Sequence, residues 1–246
     1  MKLVLSEPRL LKESVGIISE LVNEVTFKLD KDKIEITAMD PANVAMIMFK
    51  LLSSAFVEYN VKDEQEFSVN LDNLNQVLRR SKPTDTVTLE TTENKLKIIL
   101  KGESTRTFSL SLIEVDESEQ KIPELKFDVK VDMPSLTLTE AIDDMDIVAE
   151  SVALIAETNK LTVQSEGRFN AAKVELLTND ATTIKMKEKQ VLSKYSIEYL
   201  KKIVKGSKLA ENVSLNFGRE YPLRADYKVM DKLMLSFILA PRVDND

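Results

Sequence analysis

The sequence predicts an α+β protein: two tandem copies of one domain, each with two helices and many antiparallel strands. Three observations carry this. Apolar residues alternate with period two along most of the chain, the mark of half-buried strands. Four short segments follow the helical period instead. The order of strands and helices in the first half recurs in the second at a shift of 126 or 127 residues.

Taken in order, Leu11, Val15, Ile18 and Val22 lie at spacings of 4, 3 and 4 and predict a first helix over 9–22. Val25, Phe27 and Leu29 alternate, Asp30-Lys31-Asp32 turns, and Ile34, Ile36 and Ala38 alternate again, which reads as a hairpin. Leu71, Leu74 and Leu78 mark a second helix over 71–82. Val87 and Leu89, a Glu93-Asn94 turn, then Leu96, Ile98 and Leu100 give a second hairpin, continued by Phe108, Leu110 and Leu112. Ile113 to Glu124 has five acids, one Pro and no alternation, and reads as an extended, exposed connector. Leu138, Ala141, Ile142 and Met145 mark a third helix over 135–149. Leu200, Ile203 and Val204 mark a fourth over 197–208, with Gly206 read as its C-cap. The tail after Pro241 is short, polar and expected to be loose. The domains are therefore placed at 1–112 and 125–246, joined by 113–124.

Under the shift of 127, Phe27 falls on Leu154, Ile36 on Val163, and the turn before Lys33-Ile34 on Thr158-Asn159. Under 126, Leu74 falls on Leu200, Val77 on Ile203, and Val87-Thr88-Leu89 on Val213-Ser214-Leu215. Any β-rich chain overlays itself somewhere. The helix pair matched in both halves is what favours a true repeat.

Composition removes most enzyme constellations. The 246 residues include no Cys and no His, which excludes disulfides, thiolate chemistry, zinc fingers and imidazole acid–base catalysis. The five Gly, at 16, 102, 167, 206 and 218, lie too far apart for a P-loop or a dinucleotide fingerprint. The N-terminus MKLVLSEPRLLKES has neither the apolar core nor the cleavage site of a signal peptide, and no apolar run reaches about 18 residues. The expectation is a soluble intracellular protein that does not enter the membrane. With 34 basic and 41 acidic residues the net charge is -7, which argues against simple electrostatic wrapping of nucleic acid.

The carboxylates Asp143, Asp144 and Asp146 invite a metal reading. At 100° per residue, however, Asp143 and Glu140 point away from the apolar face of the third helix and Asp146 lies to its side, so the ligands diverge and a solvated face is the better account. Ser193, Tyr195, Ser196 and Tyr199 offer hydroxyls, but a base would have to be Lys or a carboxylate, and nothing in the spacing selects one. Ser196 is read instead as an N-cap. No catalytic residue, metal ligand or cofactor is assigned.

The basic residues are more informative. Lys201, Lys205 and Lys208 fall at i, i+4 and i+7 with Lys202 adjacent, opposite the apolar face of the fourth helix. Arg79, Arg80 and Lys82 end the second helix at the corresponding place of the other repeat, and the first helix carries Arg9 and Lys12. The first helix has net charge 0, the second +2, the third -4 and the fourth +3. No aromatic residues interleave with the cations, so phosphate-only, sequence-independent contact fits better than base stacking.

At this point the sequence resembles the sliding DNA clamps of the proliferating cell nuclear antigen type, over essentially its whole length. The marks are Ala38-Met39-Asp40-Pro41-Ala42-Asn43-Val44, Val69-Asn70-Leu71, Thr105-Arg106-Thr107-Phe108, Ile122-Pro123-Glu124, Tyr199-Leu200, Phe217-Gly218 with Pro222-Leu223, and Leu239-Ala240-Pro241-Arg242. The Met-Asp-Pro and Thr-Arg-Thr-Phe forms look archaeal. The resemblance implies a DNA-clamp fold closed into a ring of three chains, sheets outside and helices lining a hole through which duplex DNA passes, without enzymatic activity. It implies a cytoplasmic, nucleoid-associated protein, or a nuclear one in a eukaryote. Lys12, Arg79, Arg80, Lys82, Lys201, Lys202, Lys205 and Lys208 are the inner-face residues it implies, whereas Glu140 and Asp143 depart from the basic inner surface usual in the family. The implied partners are DNA polymerase, clamp loader, flap endonuclease and DNA ligase. Their short docking motifs would enter a pocket of Met39, Val44 and Met46, roofed by Ile122 and Pro123, and walled by Pro222, Ile238, Ala240 and Pro241. Plain core packing is the other account of Val44 and Met46. Subunits would join by strand addition between Thr107, Phe108, Leu110 and Leu112 of one chain and Ala171, Val174 and Leu176 of the next. The ring is expected to be a homotrimer, and a subunit of a heterotrimer is the variant. A carboxylate- and metal-dependent phosphoryl-transfer enzyme and a scaffold that binds no DNA are the rivals from other classes.

Overall fold

The computed structural model describes residues 1–115 and 120–243, so part of the connector (116–119) and the last three residues of the tail lie outside the described residues. The chain divides into two units. The first comprises Met1–Pro41, Ile47–Gln120 and Val229–Leu235, and the second Ala42–Met46, Lys121–Lys228 and Ser236–Asp246.

The repeat inferred from sequence is present element by element. The first series is β1 (Lys2–Leu5), α1 (Arg9–Ile18), β2 (Glu24–Leu29), β3 (Lys33–Met39), β4 (Ala45–Leu52), β5 (Glu58–Asn60), β6 (Gln65–Asn70), α2 (Leu71–Leu78), β7 (Thr86–Thr92), β8 (Lys95–Lys101) and β9 (Thr105–Ser111). The second is β10 (Val129–Pro134), α3 (Ser135–Asp146), β11 (Ser151–Glu157), β12 (Lys160–Glu166), β13 (Ala171–Leu177), β14 (Thr183–Met186), β15 (Gln190–Ser196), α4 (Ile197–Ile203), β16 (Asn212–Phe217), β17 (Leu223–Val229) and β18 (Leu233–Leu239). The pairing repeats with the order. In the first unit β5-β1-β7-β8-β9 form one antiparallel sheet, and β2 pairs with β3 and β6. In the second β13-β12-β11-β15 form the counterpart of the latter, and β10 pairs with β14 and β16 as β1 does with β5 and β7.

The hairpin registers follow from alternation. Leu29 faces Ile34 across the first turn, and Leu89 faces Ile98 across the second, with all four side chains buried. A slip by one residue would turn each apolar set to water, so burial itself fixes the pairing. In the first unit α1 and α2 bury Leu11, Val15, Ile18, Leu74 and Leu78, and strand residues such as Leu3, Val25 and Val87 are buried as well. In the second, Leu138, Ile142, Met145, Leu200 and Ile203 take the same places.

The helices are shorter than their apolar stripes. The α1 helix ends at Ile18, and Val22 is buried beyond it in the following turn. The α2 helix opens at Asn70, whose Oδ1 accepts the Asn73 N–H at 3.0 Å, a side-chain N-cap. The fourth segment is α-helical only to Ile203 and tightens to a 3₁₀ turn over Val204–Lys208. Residues three apart eclipse in that geometry, so Lys205 and Lys208 align rather than drift around the helix. The expected C-cap role of Gly206 is corrected here: no glycine has positive φ, and Gly206 lies inside the 3₁₀ turn. A Cβ there would fall 2.4 Å from the Tyr227 ring, so the position needs a glycine for close packing. Ser196 stands at the N-cap of α4, but its side chain makes no capping bond.

Strands β9 and β13 end their sheets and share one burial pattern. In β9 Arg106, Phe108 and Leu110 are half-buried while Thr107 is exposed; in β13 Ala172, Val174 and Leu176 are half-buried while Ala171 is exposed.

Candidate functional site

The basic residues predicted to meet phosphate do not all stand alike. In the first unit α1 and α2 pack side by side, with Asn75 Nδ2 donating to Ser19 Oγ at 3.1 Å. Lys12 is half-buried, and its Nζ donates to the Ser81 carbonyl at 3.2 Å just beyond the end of α2. A cation there satisfies a carbonyl at the negative end of the helix, a structural task the sequence did not disclose. Arg79 and Arg80 are exposed. Lys82 is exposed, with its Nζ 3.0 Å from Glu103 Oε2, an ion pair that solvent screens.

The turn that carries these residues is fastened by a pair distant in sequence, Asp85 and Arg106. Asp85 is 1% exposed, and its Oδ2 accepts the Lys82 backbone N–H at 2.9 Å and an Arg106 guanidinium N–H. Arg106 also donates to the Arg80 carbonyl at 2.9 Å. One guanidinium on β9 therefore holds both ends of the segment 80–85. Arg106 belongs to the Thr105-Arg106-Thr107-Phe108 mark, whereas no local pattern in the sequence marks Asp85.

In the second unit α3 presents Glu140, Asp143, Asp144 and Asp146 to solvent and buries Leu138, Ala141, Ile142 and Met145, as the helical phase requires. No cluster of three potential metal ligands occurs among the described residues. Asp146 instead meets α4: Lys201 Nζ lies 2.6 Å from its Oδ2. The hydrogen bond and the charge of Asp146, with a further contribution from Asp143, push the Lys201 pKa up. Lys202 pairs with Glu198 at 3.2 Å and sits over the Tyr199 ring, 5.4 Å from its centroid. Lys205 is half-buried and Lys208 exposed.

The residues expected to receive docking motifs fall mostly in the second unit. The turn into β4 carries Asn43 at φ 56°, a left-handed conformation that asparagine tolerates. It leads to Val44, whose carbonyl accepts the Ala240 N–H at 2.9 Å. Val44, Pro222, Ala240 and Pro241 are half-buried, and Ile122 (49% exposed) and Pro123 are exposed. Met46 and Ile238 are nearly closed to solvent, at 4% and 7%. Met39 is half-buried in the first unit.

Pro222 is positioned by its neighbour. The Tyr221 carbonyl accepts the Tyr195 hydroxyl at 2.7 Å, and the Tyr221 ring packs edge-on against Phe127 with centroids 6.0 Å apart. Burial pushes the Tyr195 phenol pKa upward, so it remains a donor at any ordinary pH. The hydroxyls of Ser193 and Tyr195 are thus used inside the fold, both residues being 0% exposed. Arg242 N–H donates to the Lys194 carbonyl at 2.8 Å, which ties the chain after Pro241 to β15. No helix among the described residues is long and apolar enough to cross a membrane.

Comparison with known proteins supplies the family. The model of the proliferating cell nuclear antigen N-terminal domain matches residues 1–121, and that of its C-terminal domain matches 121–242. A DNA polymerase sliding clamp of Pyrococcus abyssi is 38% identical over 228 residues, covering 92% of each chain. That of Nanoarchaeum equitans is 33% identical over 249 residues, covering 99% of this chain and all of the other. The crystal structure of PCNA from Thermococcus kodakaraensis superposes with a TM-score of 0.92 at 27% identity, over 98% of this chain and 99% of that one. With both domain models matched end to end along the same duplicated order of strands and helices, the chain belongs to the proliferating cell nuclear antigen family of sliding clamps.

Proposed function

We propose that this protein is a sliding clamp: a ring that encircles duplex DNA and tethers polymerase and other replication or repair enzymes, with no catalysis of its own. The observation that carries the ring is a mismatch within the repeat. Strand β4 corresponds to β13 and β18 to β9. In the first unit the Leu52 N–H reaches the Lys232 carbonyl at 2.8 Å, and in the second Ala240 reaches Val44, so β4 runs beside β18 with both strands largely buried. Their counterparts β9 and β13 are half-exposed sheet edges. An unpaired apolar edge is a liability, and β9 of one copy joining β13 of the next would remove it. Three copies closing head to tail account for both edges.

A ring holds DNA by topology, so its phosphate contacts need only be weak. The exposed Arg79, Arg80, Lys82 and Lys208 and the half-buried Lys201, Lys202 and Lys205 suit that task, with Lys12 serving mainly to bind α1 to the end of α2. The division at 1–112, 113–124 and 125–246 then separates two clamp domains from the connector. A loader, a polymerase, a flap endonuclease and a ligase are the partners this reading assigns to the patch of Val44, Ile122, Pro123, Pro222, Ala240 and Pro241.

The test is topological. Loaded by a clamp loader, the protein is expected to stay on nicked circular DNA and to run off when the circle is cut. Light scattering should give three times the 27.8 kDa of one chain. Loss from circles and linear DNA at the same rate would overturn the clamp reading. A stable single-chain mass would point to a heterotypic ring, which the acidic face of α3 favours because another subunit would then supply the missing positive charge.

The docking patch has its own test. Ile122→Ala with Pro123→Ala should weaken an aromatic docking peptide on the order of tenfold, since about 1.4 kcal/mol of lost apolar contact suffices, while the mass of the ring stays constant. Unchanged affinity would remove these two residues from the site.

A further inference from the structure

The two copies make the same helix–helix contact with different chemistry. At the repeat-equivalent place where α1 and α2 meet, Asn75 donates a neutral hydrogen bond to Ser19 at 3.1 Å. Where α3 and α4 meet, Lys201 and Asp146 form an ion pair at 2.6 Å. The neutral version shows that the contact between helices does not need charge. Both members of the charged version are open to water, with side chains 44% and 41% exposed, so the pair adds little to folding. Its effect is electrostatic: a carboxylate already occupies the ammonium that a phosphate would engage, and Asp143 adds negative potential nearby.

We propose that Asp146 is an internal competitor for phosphate that limits the grip of α4 on DNA. This rests on the reading that α4 faces the duplex. A phosphate reaching Lys201 must displace the Asp146 carboxylate, so the exchange neutralises no net phosphate charge and releases no counterion. Lys201 can then touch the backbone without holding it, which keeps the contact mobile as the ring slides. The other cations of the segment are Lys202 on α4 and Lys205 and Lys208 in the 3₁₀ turn. The Asp146–Lys201 pair sets how much Lys201 adds to them. Asp146 is a positioning residue here, acting through Lys201.

The experiment measures equilibrium binding of the full-length ring to a short fluorescent duplex by anisotropy, across a series of salt concentrations. The variants are Asp146→Asn, Lys201→Gln, the double variant, and Lys205→Gln with Lys208→Gln. Asn retains a hydrogen-bond acceptor for Lys201, so the fold should be undisturbed, and the melting temperature checks this. Asp146→Asn is expected to tighten binding at low salt. It should steepen the slope of log K against log salt by about 0.9 for each phosphate newly engaged. Lys201→Gln alone should weaken binding modestly at low salt, because it leaves the Asp146 carboxylate uncompensated, without changing the count of engaged phosphates, and in the double variant it should cancel the gain. If Asp146→Asn leaves the slope unchanged while Lys205→Gln with Lys208→Gln weakens binding, α4 faces DNA and the competitor role is overturned. If no substitution on α4 or its 3₁₀ turn alters binding, the DNA-facing reading fails and takes this inference with it.

Discussion

Arg106→Met is expected to lower the melting temperature by roughly 6–12 °C. The guanidinium of Arg106 is the charge partner of Asp85, which is 1% exposed. Met matches the length of the stem but strands a buried carboxylate, and breaking a buried pair from one side costs about 3–5 kcal/mol. The low end applies, about 3 kcal/mol, because the Arg106 side chain is 29% exposed and the pair is partly solvated. For a chain of this size each kcal/mol moves the midpoint by roughly 2–4 °C. The Arg80 carbonyl also loses its donor, so the exposed Arg79, Arg80 and Lys82 lose their fixed support. Asp85→Asn in the Arg106→Met background removes the stranded charge while keeping an acceptor for the Lys82 N–H, and should recover part of the loss. Calorimetry of the three variants decides the matter. A shift under roughly 2 °C for Arg106→Met alone would show that Asp85 finds another partner.

Gly206→Ala should cost about 1–3 kcal/mol, the range for forcing extra volume into a packed core. The added Cβ would lie 2.4–2.6 Å from three atoms of the Tyr227 ring, which is 0% exposed and packed edge-on against Phe237 with centroids 6.4 Å apart. The ring cannot swing aside without disturbing that neighbour. Tyr227→Leu should relieve the clash, so the double variant is expected to be more stable than the sum of the two single changes implies. Simple additivity would exclude the ring as the cause. The original expectation of a C-cap makes the opposite forecast: a left-handed C-cap would accept Asn at 206, whereas contact with Tyr227 forbids any side chain.

These two sites also mark where sequence reading stops. The Arg106–Asp85 pair spans 21 residues between a turn and an edge strand, and neither residue breaks the local pattern around it. Lys12 reaches a carbonyl 69 residues away, and Lys201 a carboxylate 55 residues away. Spacing along α4 places Lys201 opposite the apolar face, but cannot say what stands opposite it, and no spacing argument reaches the partner of Lys12. The same holds for Met46 and Ile238. Alternation marks Val44 and Met46 alike as strand residues, and only packing shows that Met46 and Ile238 are closed to solvent while Val44 and Ala240 are half-buried.

What the sequence determined by itself is whatever periodicity encodes. Four amphipathic helical segments, the alternating strands, the turns between them and the duplication were legible because each side chain's choice of face depends on its own immediate neighbours. The family marks were legible because their order and spacing are linear properties too. The tertiary structure alone decided which cations are committed to partners, why residue 206 must lack a side chain, and which edges remain half-open. It also decided that 42–46 belongs with the second unit and 229–235 with the first. Each of these depends on atoms brought within a few ångströms from distant points of the chain, and a one-dimensional pattern carries no term for that approach.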